Sequence, residues 1–256
     1  MGGNLLVSTA TLLGFLLTLA RVAGVFVFVP MPGIGGVINP ARVILTMGIT
    51  IALFPLWPHI AVYPSAGTLV MWLLVEAALG IGIGLSVAFI TEAFSMGAQT
   101  MSLQAGYAFA STFDPNTQAD SGVVVVLLQI VCGLLFFTTG LDREVIRIFA
   151  RSLEIYPAGS FLLTRDAATQ LLSMGSTIFS TGLRLALPII AVMVMIDISL
   201  ALLGRVNSQL QLTIVAFPVK MLIFLTLLGW LAVLFPVLFR AQSGAMLTAA
   251  RGLLAR

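Results

Sequence analysis

Three charged side chains stand inside otherwise apolar stretches of this 256-residue chain: Glu76, Asp197 and Lys220. A charge at the centre of a bilayer costs about 2.5 to 3.5 kcal/mol on insertion scales, so none of them is expected to face lipid. Asp197 and Arg205 lie eight residues apart, about two helical turns, which puts them on one side of a helix where they can pair or line a polar seam. A structural ion pair and a role in conduction are both open to such groups. A secondary transporter with Glu76 or Asp197 as its coupling acid, working at a site formed by broken helices, is one functional class consistent with them.

Other chemistries find little support. The single cysteine, Cys132, lies within the apolar run 123–139, so no intrachain disulfide is possible and it is expected to pack as a small hydrophobe. The single histidine, His59, sits in the loop LWPHIAVYP, and one His with one distant Cys cannot complete a four-ligand zinc site. The nearest nucleophile arrangement, Gly84-Leu85-Ser86, lacks a well-placed base. The run Gly80-Ile81-Gly82-Ile83-Gly84 lacks the lysine and the strand-to-helix context of a phosphate loop, and close helix packing through small residues explains it better. No cofactor and no catalytic residue is expected.

The elements that must position these groups follow from composition. Sixty per cent of the residues are hydrophobic and 8% are charged, against roughly 25% charged in an average soluble domain. With a mean hydropathy of +1.15, the expectation is an all-α, polytopic membrane-type protein of roughly six to eight helices, kinked and paired in hairpins, with room for as many spans of about 20 residues. The net charge of +3 is scattered, which suits lipid headgroups and orientation rather than nucleic acid. The first positive charge, Arg21, follows the first apolar run, so no cleaved targeting peptide is expected.

Along the chain, residues 5–29 read as a first helix broken at Pro30-Met31-Pro32-Gly33, and a second helix runs from about Pro40 to Phe54. Residues 68–108, marked by Glu76 and Glu92, read as one long helix or a kinked pair. Residues 122–140 carry no charge and match one bilayer thickness. Residues 143–156 are amphipathic, with Val145, Phe149, Leu153 and Tyr156 on one face and Arg143, Arg147 and Arg151 on another, suited to the headgroup level or to a partner. Residues 167–204 and 210–239 form a helical hairpin that contains Pro188 and Pro218.

The stretch GYAFASTFDPNTQADSG, residues 106–122, interrupts these helices. Asp114-Pro115-Asn116-Thr117 fits a type I turn, so the segment is a loop. Non-helical backbone beside apolar helices is tolerated where protein buries it or where it lines a water-filled cavity. Phe109 and Phe113, with Tyr107 nearby, can then close a channel with their rings, or they can anchor an extramembrane loop at an interface.

Taken together the residues resemble the FliR family of flagellar type III export gates. The resemblance runs nearly end to end. It rests on Arg21, the Pro-Gly break before Pro40-Ala41-Arg42, the helix with Glu76 and Gly80, the segment GYAFASTFDP, the paired Phe136-Phe137, and the closing Leu203-Gly204-Arg205-Val206-Asn207-Ser208-Gln209 with Phe217-Pro218-Val219-Lys220. Ser208 stands where the family often has proline, and Leu141-Asp142 replaces a common glycine-histidine pair.

The resemblance implies a non-enzymatic subunit that joins FliP and FliQ in a helical assembly passing unfolded export substrates. FlhB, FlhA and basal-body ring and rod proteins are the further partners implied, at the flagellar basal body of the bacterial inner membrane. Residues 1–166 would be FliP-like and residues 167–256 similar to the FliQ hairpin. Because the family's assembly sits largely inside the basal-body ring, hydropathy would also report burial against partners. The family's matching loop acts as a plug. That role carries over to loop 106–120 with Gly106, Tyr107, Phe109, Phe113, Asp114 and Pro115, while Glu76, Glu92, Asp197, Arg205, Gln209 and Lys220 are expected as buried polar or assembly residues.

Overall fold

The computed structural model describes residues 8–30, 39–60, 63–107, 122–161, 164–206 and 212–254. Every regular element among them is helical, as the composition requires. Helix α1 spans Thr9–Phe28 and starts where the Ser8 hydroxyl accepts from the Ala10 amide at 3.3 Å. Helix α2 spans Pro40–Ala52; Asn39 caps it through the Ala41 amide at 3.0 Å, and Pro40 occupies the first turn, where a missing N–H costs nothing. Arg42 then reaches back to the end of α1. Its Nη1 donates to the carbonyls of Phe26 and Val27, both at 2.7 Å, which lie in the turn where helical acceptors lose their partners.

Helix α3, Ala66–Ala105, is one unbroken element of 40 residues, which decides between the single helix and the kinked pair. Helix α4 is Val123–Thr138 and α5 is Leu141–Ile155. Helix α6, Arg165–Val206, runs 42 residues with Pro188 inside it. Helix α7, Leu212–Leu231, contains Pro218, and a 3-10 turn at Ala232–Leu234 leads into α8, Phe235–Gly252. The helical path through 210–239 is therefore continuous from Leu212 but passes through one 3-10 segment, and residues Pro218–Gly252 form a single candidate span.

Among the described residues, four segments are long and apolar enough to cross a membrane, or five if α4 and α5 count as one. The expected multi-helix, all-α class holds, while the candidate spans are fewer than the six to eight for which the composition has room. The difference has two causes. At about 1.5 Å per residue, α3 and α6 are each about 60 Å long, twice the hydrocarbon thickness, so one helix consumes the apolar length of two spans. And α4, which reads as a full bilayer thickness, is only 16 residues long and meets α5 at a bend of 65°.

The chain forms two compact units that interleave in sequence, one of residues 1–89, 136–174 and 243–256, the other of residues 90–135 and 175–242. These units cut across both 1–166 and 167–256. In the first unit α1 crosses α3 with backbone against backbone. A Cβ on Gly80 would lie 2.1 Å from the Arg21 carbonyl oxygen, and one on Gly84 would lie 2.6 Å from that of Val25. The glycine run thus serves helix packing, as its spacing suggests. Glu76, Gly80 and Gly84 recur every fourth residue and so share the face of α3 that meets α1. In the second unit Phe94 packs edge-on against Phe235 at 6.1 Å and Phe239 at 5.9 Å, and Gln129 Nε2 donates to Ser95 Oγ at 3.1 Å. Cys132 is buried there beside Thr91.

Gly80→Ala is expected to destabilise the protein by about 1 to 3 kcal/mol or more, since no rotamer change relieves a methyl against a backbone oxygen. A thermal melt in mild detergent, followed by circular dichroism, checks this against Gly48→Ala, a position in α2 with nothing within 4 Å of an added Cβ. Equal midpoints for the two variants would contradict the close crossing.

Candidate functional site

The stranded charges are resolved by two clusters, one in each unit. In the first, Arg21 of α1 and Glu76 of α3 form an ion pair whose side chains are 1% and 2% exposed. The Arg21 Nε donates to Glu76 Oε2. Its Nη1 donates to the Ser152 carbonyl at 2.7 Å and to the Ser152 hydroxyl oxygen at 3.2 Å, and Nη2 donates to the Tyr156 carbonyl at 3.2 Å. Those carbonyls belong to the C-terminal end of α5, where the helix dipole favours a cation, and the Ser152 carbonyl also accepts from the Tyr156 amide at 3.1 Å. The second carboxylate oxygen, Glu76 Oε1, accepts from the Gly159 amide at 3.0 Å.

Gly159 has to be glycine twice over. Its φ of +72° is strained for any L side chain, and a Cβ there would lie 2.1 Å from the Trp72 ring. Tyr156 extends the cluster by donating its hydroxyl to the Leu253 carbonyl at 3.3 Å, with its ring edge-on to Phe161 at 5.4 Å. Desolvating two charges is costly and is offset only when geometry and extra hydrogen bonds satisfy them. Here each oxygen of Glu76 has a donor and the guanidinium has four acceptor contacts. The carboxylate is a structural anchor that joins α1, α3 and the turn at Gly159.

The second cluster lies between α3, α6 and α7. Asp197 Oδ1 is 2.5 Å from Lys220 Nζ, and Gln104 Nε2 donates to Asp197 Oδ2 at 3.2 Å. The partner of Asp197 is thus Lys220, and the expected pairing with Arg205 does not form. Eight helical residues separate Asp197 and Arg205 by about 12 Å along the axis, too far for contact, whereas Lys220 comes from a neighbouring helix. Beside the pair, Tyr107 packs its ring against Phe224 at 5.4 Å, directly after the buried, left-handed Gly106 that ends α3.

Of the remaining residues singled out in the sequence, Glu92 and Arg205 are exposed, not buried. Phe109, Phe113, Asp114, Pro115 and Gln209 lie outside the described residues. Sequence reasoning missed Gln104, Ser152 and Gly159, and did not join Arg21 to Glu76. One signal was available for that pair: each is a charge stranded in an apolar helix, and each needs the other sign.

These features define an all-α polytopic membrane protein whose interior charges hold helices together. The family described as bacterial export proteins, family 1, matches residues 12–246. The flagellar biosynthetic protein FliR of Pectobacterium carotovorum subsp. carotovorum is 33% identical over 201 residues, covering 77% of this chain and 76% of that protein. The protein of the same name from Escherichia coli (strain K12) is 30% identical over 186 residues, covering 72% and 71%. The secretion system apparatus protein SsaT of Salmonella typhimurium is 26% identical over 155 residues, 60% of each chain. The chain belongs to this family of bacterial export proteins. It is a non-enzymatic, membrane-embedded subunit of a flagellar or type III export apparatus, assembled with other export components.

Removing either partner of the buried pair, by Arg21→Ala or Glu76→Ala, is expected to cost about 3 to 5 kcal/mol, because the other charge is left uncompensated. Asp197, whose side chain is 43% exposed, is expected to lose no more than about 1 kcal/mol as Asp197→Asn. Denaturant titration of the detergent-solubilised variants measures both, and an Asp197 effect as large as that of Glu76 would overturn the contrast.

Proposed function

We propose that this chain is one subunit of the flagellar protein export channel of the bacterial inner membrane, built with FliP and FliQ subunits, through which unfolded substrates pass. Residues 1–166 take the FliP-like place in that assembly and residues 167–256 that of the FliQ hairpin. FlhB, FlhA and the basal-body ring and rod proteins are its neighbours. Loop 106–120 acts as a plug that keeps small solutes from leaking when no substrate is in transit. Phe109 and Phe113 fill space and exclude water, and Asp114-Pro115 turns the backbone.

The observation that supports this reading is the fixed base of the loop. Gly106 is buried, Tyr107 packs edge-on against Phe224, and one turn earlier Gln104 is bound to the Asp197–Lys220 pair. Contacts from α3, α6 and α7 thus hold the residues at which the segment begins. The apolar surface of α6 supports the assembly: only 22% of its most apolar window is buried within the chain, so lipid or other subunits must cover the remainder.

Coexpressed with its neighbours and extracted in detergent, the chain is expected to appear in native mass spectra as one copy within a larger complex containing FliP and FliQ. A stable homodimer free of both would overturn the assignment. Replacing Phe109 and Phe113 together by Ala should raise ion leakage through the assembled complex while leaving its mass unchanged. Leakage equal to wild type would remove the plug.

A further inference from the structure

A groove of about 350 Å³ in the first unit is lined by α5 and the C-terminal end of α8, and neither cluster described above uses it. Three guanidiniums border it, those of Arg147, Arg151 and Arg251. Among the described lining residues the only carboxylate is Glu144, which is bound to Arg147 and lies 3.4 Å from Arg251 Nη2. Arg151 is exposed and has no ion-pair partner among the described residues. The remaining lining is aliphatic: Ile148 and Leu254 are buried and Ile155 is half-buried. The groove therefore joins an excess of positive charge to an apolar floor.

We propose that this groove binds an anionic phospholipid, with Arg151 and Arg251 on the headgroup phosphate and Ile148, Ile155 and Leu254 against the first carbons of an acyl chain. Three features select this ligand. The charge is of the right sign, and basic pockets of membrane proteins recognise acidic headgroups. Guanidinium presents paired donors that match phosphate oxygens. The apolar floor is something a soluble phosphate does not use but a lipid does. Helix α5 is also suited to the headgroup level, with Val145, Ile148 and Phe149 buried on one face and Arg143, Arg147 and Arg151 exposed on the other. Glu144 holds Arg147 and Arg251 in place beside the groove, and Arg151 is left for the ligand.

The test uses the full chain in its coexpressed complex, delipidated in detergent and titrated by native mass spectrometry with phosphatidylglycerol, phosphatidylcholine or inorganic phosphate. Phosphatidylglycerol should bind, phosphatidylcholine should bind markedly more weakly, and inorganic phosphate should not displace the lipid. Replacing Arg151 and Arg251 together by Gln should weaken phosphatidylglycerol about tenfold or more, given the contribution of each basic residue near an anionic headgroup. The Arg151→Lys, Arg251→Lys variant should retain most of the binding. Both residues are exposed, so neither variant is expected to disturb folding, and an unchanged melting temperature verifies that. Equal binding of the two lipids, or full retention by the Gln variant, overturns the proposal. Displacement by inorganic phosphate would make the groove a soluble-phosphate site, and a crosslink from position 151 to an acidic segment of another subunit would make it a protein interface; either result overturns it as well.

Discussion

One buried ion pair holds the first unit in register. Arg21 enters it twice: its side chain is bound to Glu76, and its carbonyl oxygen is the atom against which Gly80 is pressed. Glu76 and Gly80 are one turn apart on the same face of α3. The crossing of α1 over α3 and the neutralisation of the charges are therefore a single constraint, because the helices must approach to backbone contact for the side chains to meet. From there the guanidinium ties in the end of α5, and Glu76 ties in the turn at Gly159. An arginine without this carboxylate would be a buried, unpaired charge.

The second pair is made differently. Asp197 and Lys220 are partly exposed, and each comes from a helix whose outer surface is apolar. Water and neighbouring subunits can reach such a pair, so it contributes little to the stability of the chain alone. What it does is fix the geometry of α6 and α7 against the end of α3, where Tyr107 packs against Phe224. The fully buried pair is the stronger anchor of its unit, and the partly exposed pair is the weaker polar seam of the other.

Hydropathy has two meanings in this protein. Half of the most apolar window of α3 is buried within the chain, against 22% for α6. The apolar side chains of α3 are thus largely explained by internal packing, including its glycine-mediated crossing. Those of α6 are not, and their exposure implies a lipid or protein environment outside the chain. For an export-apparatus subunit, which works only inside a larger assembly, an apolar exterior is the expected counterpart of its neighbours' surfaces.

The helical class, the helix start at Pro40, the amphipathic character of α5 and the packing role of the Gly80–Gly84 run were all legible in the sequence. They are local properties, carried by hydrophobicity, spacing and caps within a few residues. The number of spans was not, because a 40-residue apolar helix and two 20-residue spans have the same composition. Nor were the partners of the charges. Arg21 and Glu76 are 55 residues apart, and Asp197 pairs across to another helix instead of along its own. A charge in an apolar helix announces by itself that it needs a counter-ion. Which counter-ion it gets depends on how helices cross, and that is decided by close packing between segments distant in sequence.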